Sequence, residues 1–232
     1  MRAGPFILIV WLAWMLPGSG AAGSDFDAQL GDLQARLAGD PTNRALLFEL
    51  GDLCHDEGAL ENAEAVRMAE RYFRRLLDLE SEHALGRALY GSVLTMRARD
   101  TTWPPTRLSL VKAGIREMDA AVARAPLDPR VRLVRADNNI HMPAFLDRKE
   151  LVAADLAWLW RQAVEPAGVL SAPQRQRIAL HHGSLLEKER RLADALAVWR
   201  RGISFDPASA AARQIQAMAD ARDPLAPSSS VP

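Results

Sequence analysis

Residues 176–207 read QRIALHHGSLLEKERRLADALAVWRRGISFDP. Apolar residues recur at three- and four-residue intervals on both sides of a polar break at Arg190 and Arg191, which describes two amphipathic helices joined by a short turn. The segment is a helical hairpin. Its small residues, Gly183 and Gly202, let helices approach closely, while Trp199 is large enough to fill the hole between neighbouring hairpins. Pro207 closes the unit, because proline cannot continue a helix interior.

The same register recurs upstream. Ala154 and Trp158 precede Pro166 at the separations that Ala195 and Trp199 show before Pro207. Gly114, Met118 and Ala121 precede Pro126, and Ala69, Phe73 and Leu76 precede Ser81. A small residue also follows each closing position at a similar distance: Gly51 after Pro41, Gly91 after Ser81 and Ala136 after Pro126. The inserted segment AGVLSAP (167–173) lengthens the last step, from Pro166 to Gly183.

The order of small residue, Ala, aromatic and closing Pro at Gly183, Ala195, Trp199 and Pro207 resembles the tetratricopeptide repeat (TPR). The resemblance implies an all-α, right-handed superhelical solenoid of about four antiparallel helix-hairpin repeats over residues 41–207. One helix (Asp25–Leu37) is expected before it and one (Pro207–Arg222) after it, as packing elements at the ends. The first three units are longer than the family pattern, with second helices predicted over Leu60–Leu79, Thr106–Ala125 and Asp147–Glu165. Helix starts are expected at the capping boxes Asp147/Glu150 and Ser171/Gln174, and at Asp128-Pro129 and Asp206-Pro207.

Composition bounds the function. The 232 residues are 49% hydrophobic and 6% aromatic, and 29 Lys and Arg balance 29 Asp and Glu. That balance gives no reason to expect nucleic acid as a partner. The N-terminus carries Arg2, an apolar run from Phe6 to Leu16 and then Pro17-Gly18-Ser19-Gly20-Ala21-Ala22, the pattern of a cleavable secretory leader. The run is shorter than the roughly 20 residues a spanning helix needs. The expected division is a leader at 1–22, a helical repeat domain at 23–222 and a disordered tail at 223–232, rich in Pro and Ser. The expected location is the periplasm or the medium, the alternative being an inner-membrane anchor formed by an uncleaved leader. The lone cysteine, Cys54, excludes an internal disulfide and is expected to be buried.

In the resembling family, first helices line a groove that holds a peptide. Carried onto this sequence, the groove positions are Asp52, His55 and Asp56; Ser92 and Thr95; Arg130, Asp137 and His141; and Arg177, Ser184, Glu187 and Lys188. The first end is acidic and the last more basic. The paired Asn and Lys with which some members clamp a terminal carboxylate are missing, and Asn138 and Asn139, adjacent in sequence, do not share a helix face. Trp103, in the longest addition RDTTWPPT (99–106), is either a binding anchor or a lid over its own hairpin, and the two prolines after it predict an extended path. Phe145 holds a similar place in HMPAFLDR (141–148), and together the two aromatics are expected to form an apolar edge.

Nucleophile elbow, zinc-protease helix and phosphate loop are all missing from the sequence. His181-His182 and Cys54-His55 are adjacent pairs whose members point about 100° apart on a helix, so each pair supplies at most one metal ligand. Asp137 and His141, four apart, are placed to meet on one face. No catalytic residue, cofactor or metal is expected. The reading is a non-catalytic scaffold or adaptor of the cell envelope that binds a protein or peptide. The alternatives are a metal- or small-ligand-binding helical domain and a self-associating subunit.

Overall fold

The structure, a computed structural model, describes residues 21–166 and 168–222. The tail reading lies outside the described residues, as does the leader reading up to residue 20. Ten α-helices follow one another, with no strand among the described residues. They are α1 (Ala21–Gly39), α2 (Arg44–Ala59), α3 (Ala63–Leu79), α4 (Ala84–Arg99), α5 (Pro104–Arg124), α6 (Pro129–Asn139), α7 (Lys149–Ala163), α8 (Ala172–Lys188), α9 (Leu192–Ile203) and α10 (Ala210–Asp220). A short 3-10 turn, Ala144–Leu146, precedes α7.

The chain divides between His141 and Met142 into two compact units. In the first, α1 packs on α2, α2/α3 and α4/α5 are hairpins, and α6 lies against both α4 and α5. In the second, α7 packs on α8, α8/α9 is a hairpin and α10 lies against α9 and α8.

Polar residues set where the helices begin. Asn43 and Asn62 accept from the amides of Leu46 and Ala65, three residues on. Asp128 caps α6 ahead of Pro129, and Ser171 with Gln174 forms the reciprocal capping box at α8. Each such cap satisfies an amide that the helix itself leaves unbonded.

Three starts depart from expectation. Pro104 and Pro105 are the first turn of α5 rather than an extended path, because a first-turn amide needs no helical partner and the fixed φ of proline suits the helix. Asp147 adopts a left-handed conformation (φ 52°), so α7 starts at Lys149 without a side-chain cap. Pro207 stays in the turn, and α10 is capped by Ser209, whose side chain accepts from the Ala212 amide.

The repeat rests on close approach at the small residues. A Cβ on Gly51 would lie 2.6 Å from the Phe73 ring, and one on Gly91 would lie 2.7 Å from the Gly114 carbonyl and 2.9 Å from Met118. A Cβ on Gly183 would collide with the Trp199 indole. Phe73, Met118 and Trp199 are fully buried. Trp199 sits against Gly183 within its own hairpin and shares one buried cluster with Ile215 and Ala219 of the following helix, α10. In α7 the expected register is also corrected. Ala154 is exposed and Trp158 only half-buried, while Val152, Leu156, Leu159 and Ala163 form the buried face, following the helix's own three- and four-residue apolar spacing.

A buried carboxylate ties the first two hairpins together. Glu70 of α3 is bound at 2.6 Å by Arg74 and from the other side by Arg97 of α4, which compensates its removal from water. Gly51→Val should lower the unfolding free energy by roughly 1–3 kcal/mol or more through overpacking. Gly31→Ala in α1, where a Cβ would meet nothing within 4 Å, should raise it by about 0.5–1 kcal/mol. Urea unfolding of the two variants checks the contrast.

Candidate functional site

The first-helix face of the first unit is built from α2, α4 and α6. A chain of hydrogen bonds crosses it. His55 Nδ1 lies 3.4 Å from Asp56 Oδ1, and His55 Nε2 lies 2.9 Å from Ser92 Oγ. Asn138 Nδ2 donates to Ser92 Oγ at 3.1 Å and to the Val134 carbonyl at 2.9 Å. The single proton of Thr95 Oγ1 is shared between the Ser92 carbonyl and Asn138 Oδ1, each 2.7 Å away. With Nδ1–H of His55 toward Asp56, every donor in the chain meets an acceptor: Ser92 gives its proton to His55 and accepts one from Asn138.

The sequence expectation is corrected at Thr95 and at Ser92. Both are buried, at 6% and 3% exposure, and they join helices instead of facing a ligand. Asn138 is their buried partner, an internal hydrogen-bonding role. Asp56, His55 and Ser92 stand in the order of an acid–base–nucleophile triad. Ser92 is nevertheless buried, and its oxygen already accepts the Asn138 amide, so the arrangement positions helices and offers no accessible nucleophile.

On α2 the accessible polar residues of this face are carboxylates, with Glu49 and Asp56 exposed and Asp52 half-buried. Asp52 and Asp56 were legible as groove positions, and Glu49 joins them at three- and four-residue spacing on the same face of α2. Glu49 is the residue that reading missed, and this spacing was the signal for it. Asp52 lies on the side of α2 that also carries Phe48, stacked on His83 at 5.1 Å, and His55, bonded to Ser92; both contacts are to α4 or its cap. Burial there, then repulsion from Asp56, holds the Asp52 carboxyl above its ordinary range against the attraction of His55. None of the three carboxylates meets Lys or Arg among the described residues.

The other expected positions separate. Arg130 is exposed, but its guanidinium grips Asp128 at 2.8 Å, and despite the opposing effect of burial this holds the Asp128 carboxyl below its usual range. Asp137 is half-buried on α6, and His141 is exposed beyond the end of that helix. In the second unit, Arg177 and Lys188 are exposed, Ser184 is half-buried, and Glu187 is ion-paired with Arg222, which also lies over the Trp199 ring at 5.7 Å. Phe145 is 74% exposed there, while Trp103 of the first unit is 66% exposed and forms no lid. Among the described residues no group of three His, Cys, Asp or Glu side chains is placed to hold a metal ion. Cys54 is buried, which raises its thiol to about 12.

No protein-family model matches the sequence, and no curated protein matches it. Among solved structures, a thermophilic TPR protein from Thermus thermophilus is similar in fold, with a TM-score of 0.64 at 17% identity over 85% of this chain and 92% of that one. The helix hairpins are therefore of the TPR type.

Two outcomes check the polar chain. Asn138→Ala should lower stability by roughly 1–3 kcal/mol, since it strips partners from Ser92 and Thr95 inside the protein. A double-mutant cycle with Ser92→Ala should return a coupling of roughly 0.5 kcal/mol or more. Cys54 should resist alkylation at pH 8 in the folded protein and react at the rate of unfolding, as read by mass spectrometry in a urea series.

Proposed function

We propose that this chain is a non-catalytic scaffold that binds a protein or peptide partner through the first-helix face of its first unit, where Glu49, Asp52 and Asp56 receive basic side chains. One observation carries the reading: three carboxylates, Glu49, Asp52 and Asp56, share one helix face without a Lys or Arg partner among the described residues. Like charges at this spacing destabilise a helix by a few tenths of a kcal/mol each. Burial of Asp52 adds to that penalty. A partner's Lys or Arg would relieve both and fix the register of an extended segment.

The polar chain beneath gives this face its rigidity. With His55, Ser92, Thr95 and Asn138 tying α2, α4 and α6 together, the carboxylates are presented on a frame that does not have to be ordered on binding. The location proposed is the cell envelope, supported by the charged start and short apolar run of residues 1–22.

Asp52→Asn separates stability from binding. Because the Asp52 carboxyl is raised, the folded chain holds its proton more tightly than the unfolded chain, so stability falls as pH rises from about the ordinary value of 3.8 through the raised one. The variant should therefore be more stable than the parent at pH 7, and the difference should vanish below the ordinary value. Binding should move the other way. In titration calorimetry against a Lys- and Arg-rich extended peptide, the parent should bind more tightly as pH rises, and Asp52→Asn with Asp56→Asn should weaken binding by about tenfold or more. Equal affinity in parent and variant would overturn the assignment of this face.

A further inference from the structure

The first two turns of α5 stand clear of the protein. Every residue from Thr102 through Ser109 is exposed. Arg107 lies on the same helix line as Gly114 and Met118, seven and eleven residues on, both of which are buried against α4. The side that packs farther along the helix is therefore exposed at its start. The spur is about 10 Å long at 1.5 Å per residue. It carries Trp103 at 66% exposure and Leu108 at 38%, with Pro104 and Pro105 between them.

The tip is held in place rather than loose. Arg107 donates from Nε and Nη2 to the Thr101 carbonyl at 3.0 and 2.8 Å, and Thr101 Oγ1 donates to the Arg97 carbonyl at 2.7 Å. The Trp103 carbonyl accepts the Arg107 amide at 3.0 Å. A helix start ordinarily presents up to four unbonded amides, which resist entry into an apolar medium. Here two of the first positions are proline and carry no N–H at all.

The charge of the spur has one sign. Residues 101–116 contain Arg107, Lys112 and Arg116 and no acid. The acids on either side, Asp100 and Glu117, are paired with Arg99 at 2.9 Å and Arg87 at 2.6 Å. Lys112 and Arg116 are exposed, lie one turn and two turns beyond Leu108 on the outward face, and meet no carboxylate among the described residues.

We propose that the α5 spur docks on an anionic phospholipid surface, with Trp103, Pro104, Pro105 and Leu108 seated in the interfacial layer and Lys112 and Arg116 on the lipid phosphates. Apolar side chains exposed all round a short projecting element suit a fluid layer that closes around it, whereas a groove on a protein partner would cover one face. Interfacial helices bury apolar side chains roughly 5–10 Å into the headgroup boundary and keep Lys and Arg at the lipid phosphates, and the spur offers both kinds of residue within about three turns. Tryptophan is the residue favoured at that depth.

The test uses the full chain and vesicles of phosphatidylcholine with or without phosphatidylglycerol. Parent and variants share the same N-terminal apolar run, so differences between them report the spur. Partition onto phosphatidylglycerol vesicles should exceed that onto neutral ones and should fall at least about tenfold in Trp103→Ala/Leu108→Ala and, independently, in Lys112→Glu/Arg116→Glu. Brominated phosphatidylglycerol should quench a component of the tryptophan emission that Trp103→Phe removes. Both pairs change exposed residues, and thermal unfolding by circular dichroism should match the parent. Unchanged partition in both pairs, with quenching that does not depend on Trp103, would overturn the proposal. So would capture of an acidic protein segment by a photoreactive residue at 103 with vesicle partition unaltered.

Discussion

The contact of a glycine on one helix with a bulky side chain on the next is the constraint on which this structure depends. Gly51 against Phe73 and Gly183 against Trp199 leave no room for even a methyl group, so each hairpin closes at one separation and in one register. The second hairpin solves the same problem differently: Gly91 and Gly114 bring two backbones together, with Met118 filling the remaining space. Where helices are this close, a change of one residue in register would drive a large ring into backbone. Close packing thus selects the pairing as well as stabilising it.

Once the hairpins are set, the polar groups trapped between them must be satisfied. Glu70 receives two guanidinium groups, and Ser92, Thr95 and Asn138 complete one another across helices α4 and α6, with His55 extending the chain to α2. These bonds span residues 37 to 46 positions apart in the chain. They consume polar side chains that would otherwise face a ligand. What is left over includes the α2 carboxylates, which meet no Lys or Arg, and Lys112 and Arg116 of α5, which meet no carboxylate, among the described residues.

Much of the fold was legible because its signals are local. The hairpin at 176–207, the turn at Arg190 and the small-residue positions Gly51, Gly91, Ala136 and Gly183 all follow from spacing along the chain, and all are buried or turned as expected. The errors fell where two local rules compete. Pro104-Pro105 suits both an extended path and a first helical turn, and in the structure the two prolines open α5. Asp147 has the composition of a cap, but its backbone is left-handed and α7 starts at Lys149, while the apolar spacing of that helix turns Val152, Leu156, Leu159 and Ala163 inward and leaves Ala154 outside.

The candidate site was only half legible, for a physical reason. Helical periodicity identified Asp52, His55, Asp56, Ser92 and Thr95 as residues on the first helices, since side-chain direction repeats with the turn of the helix. Whether a residue on such a face meets solvent or a neighbouring helix depends on how closely the helices approach, and that is set by side chains elsewhere in the chain. The sequence alone therefore determined the helices, their hairpins and the family they resemble. Tertiary structure alone decided that Ser92, Thr95 and Asn138 are internal bonds, that Asp52 lies beside contacts to α4, and that Trp103 is exposed at the start of α5 instead of covering its hairpin.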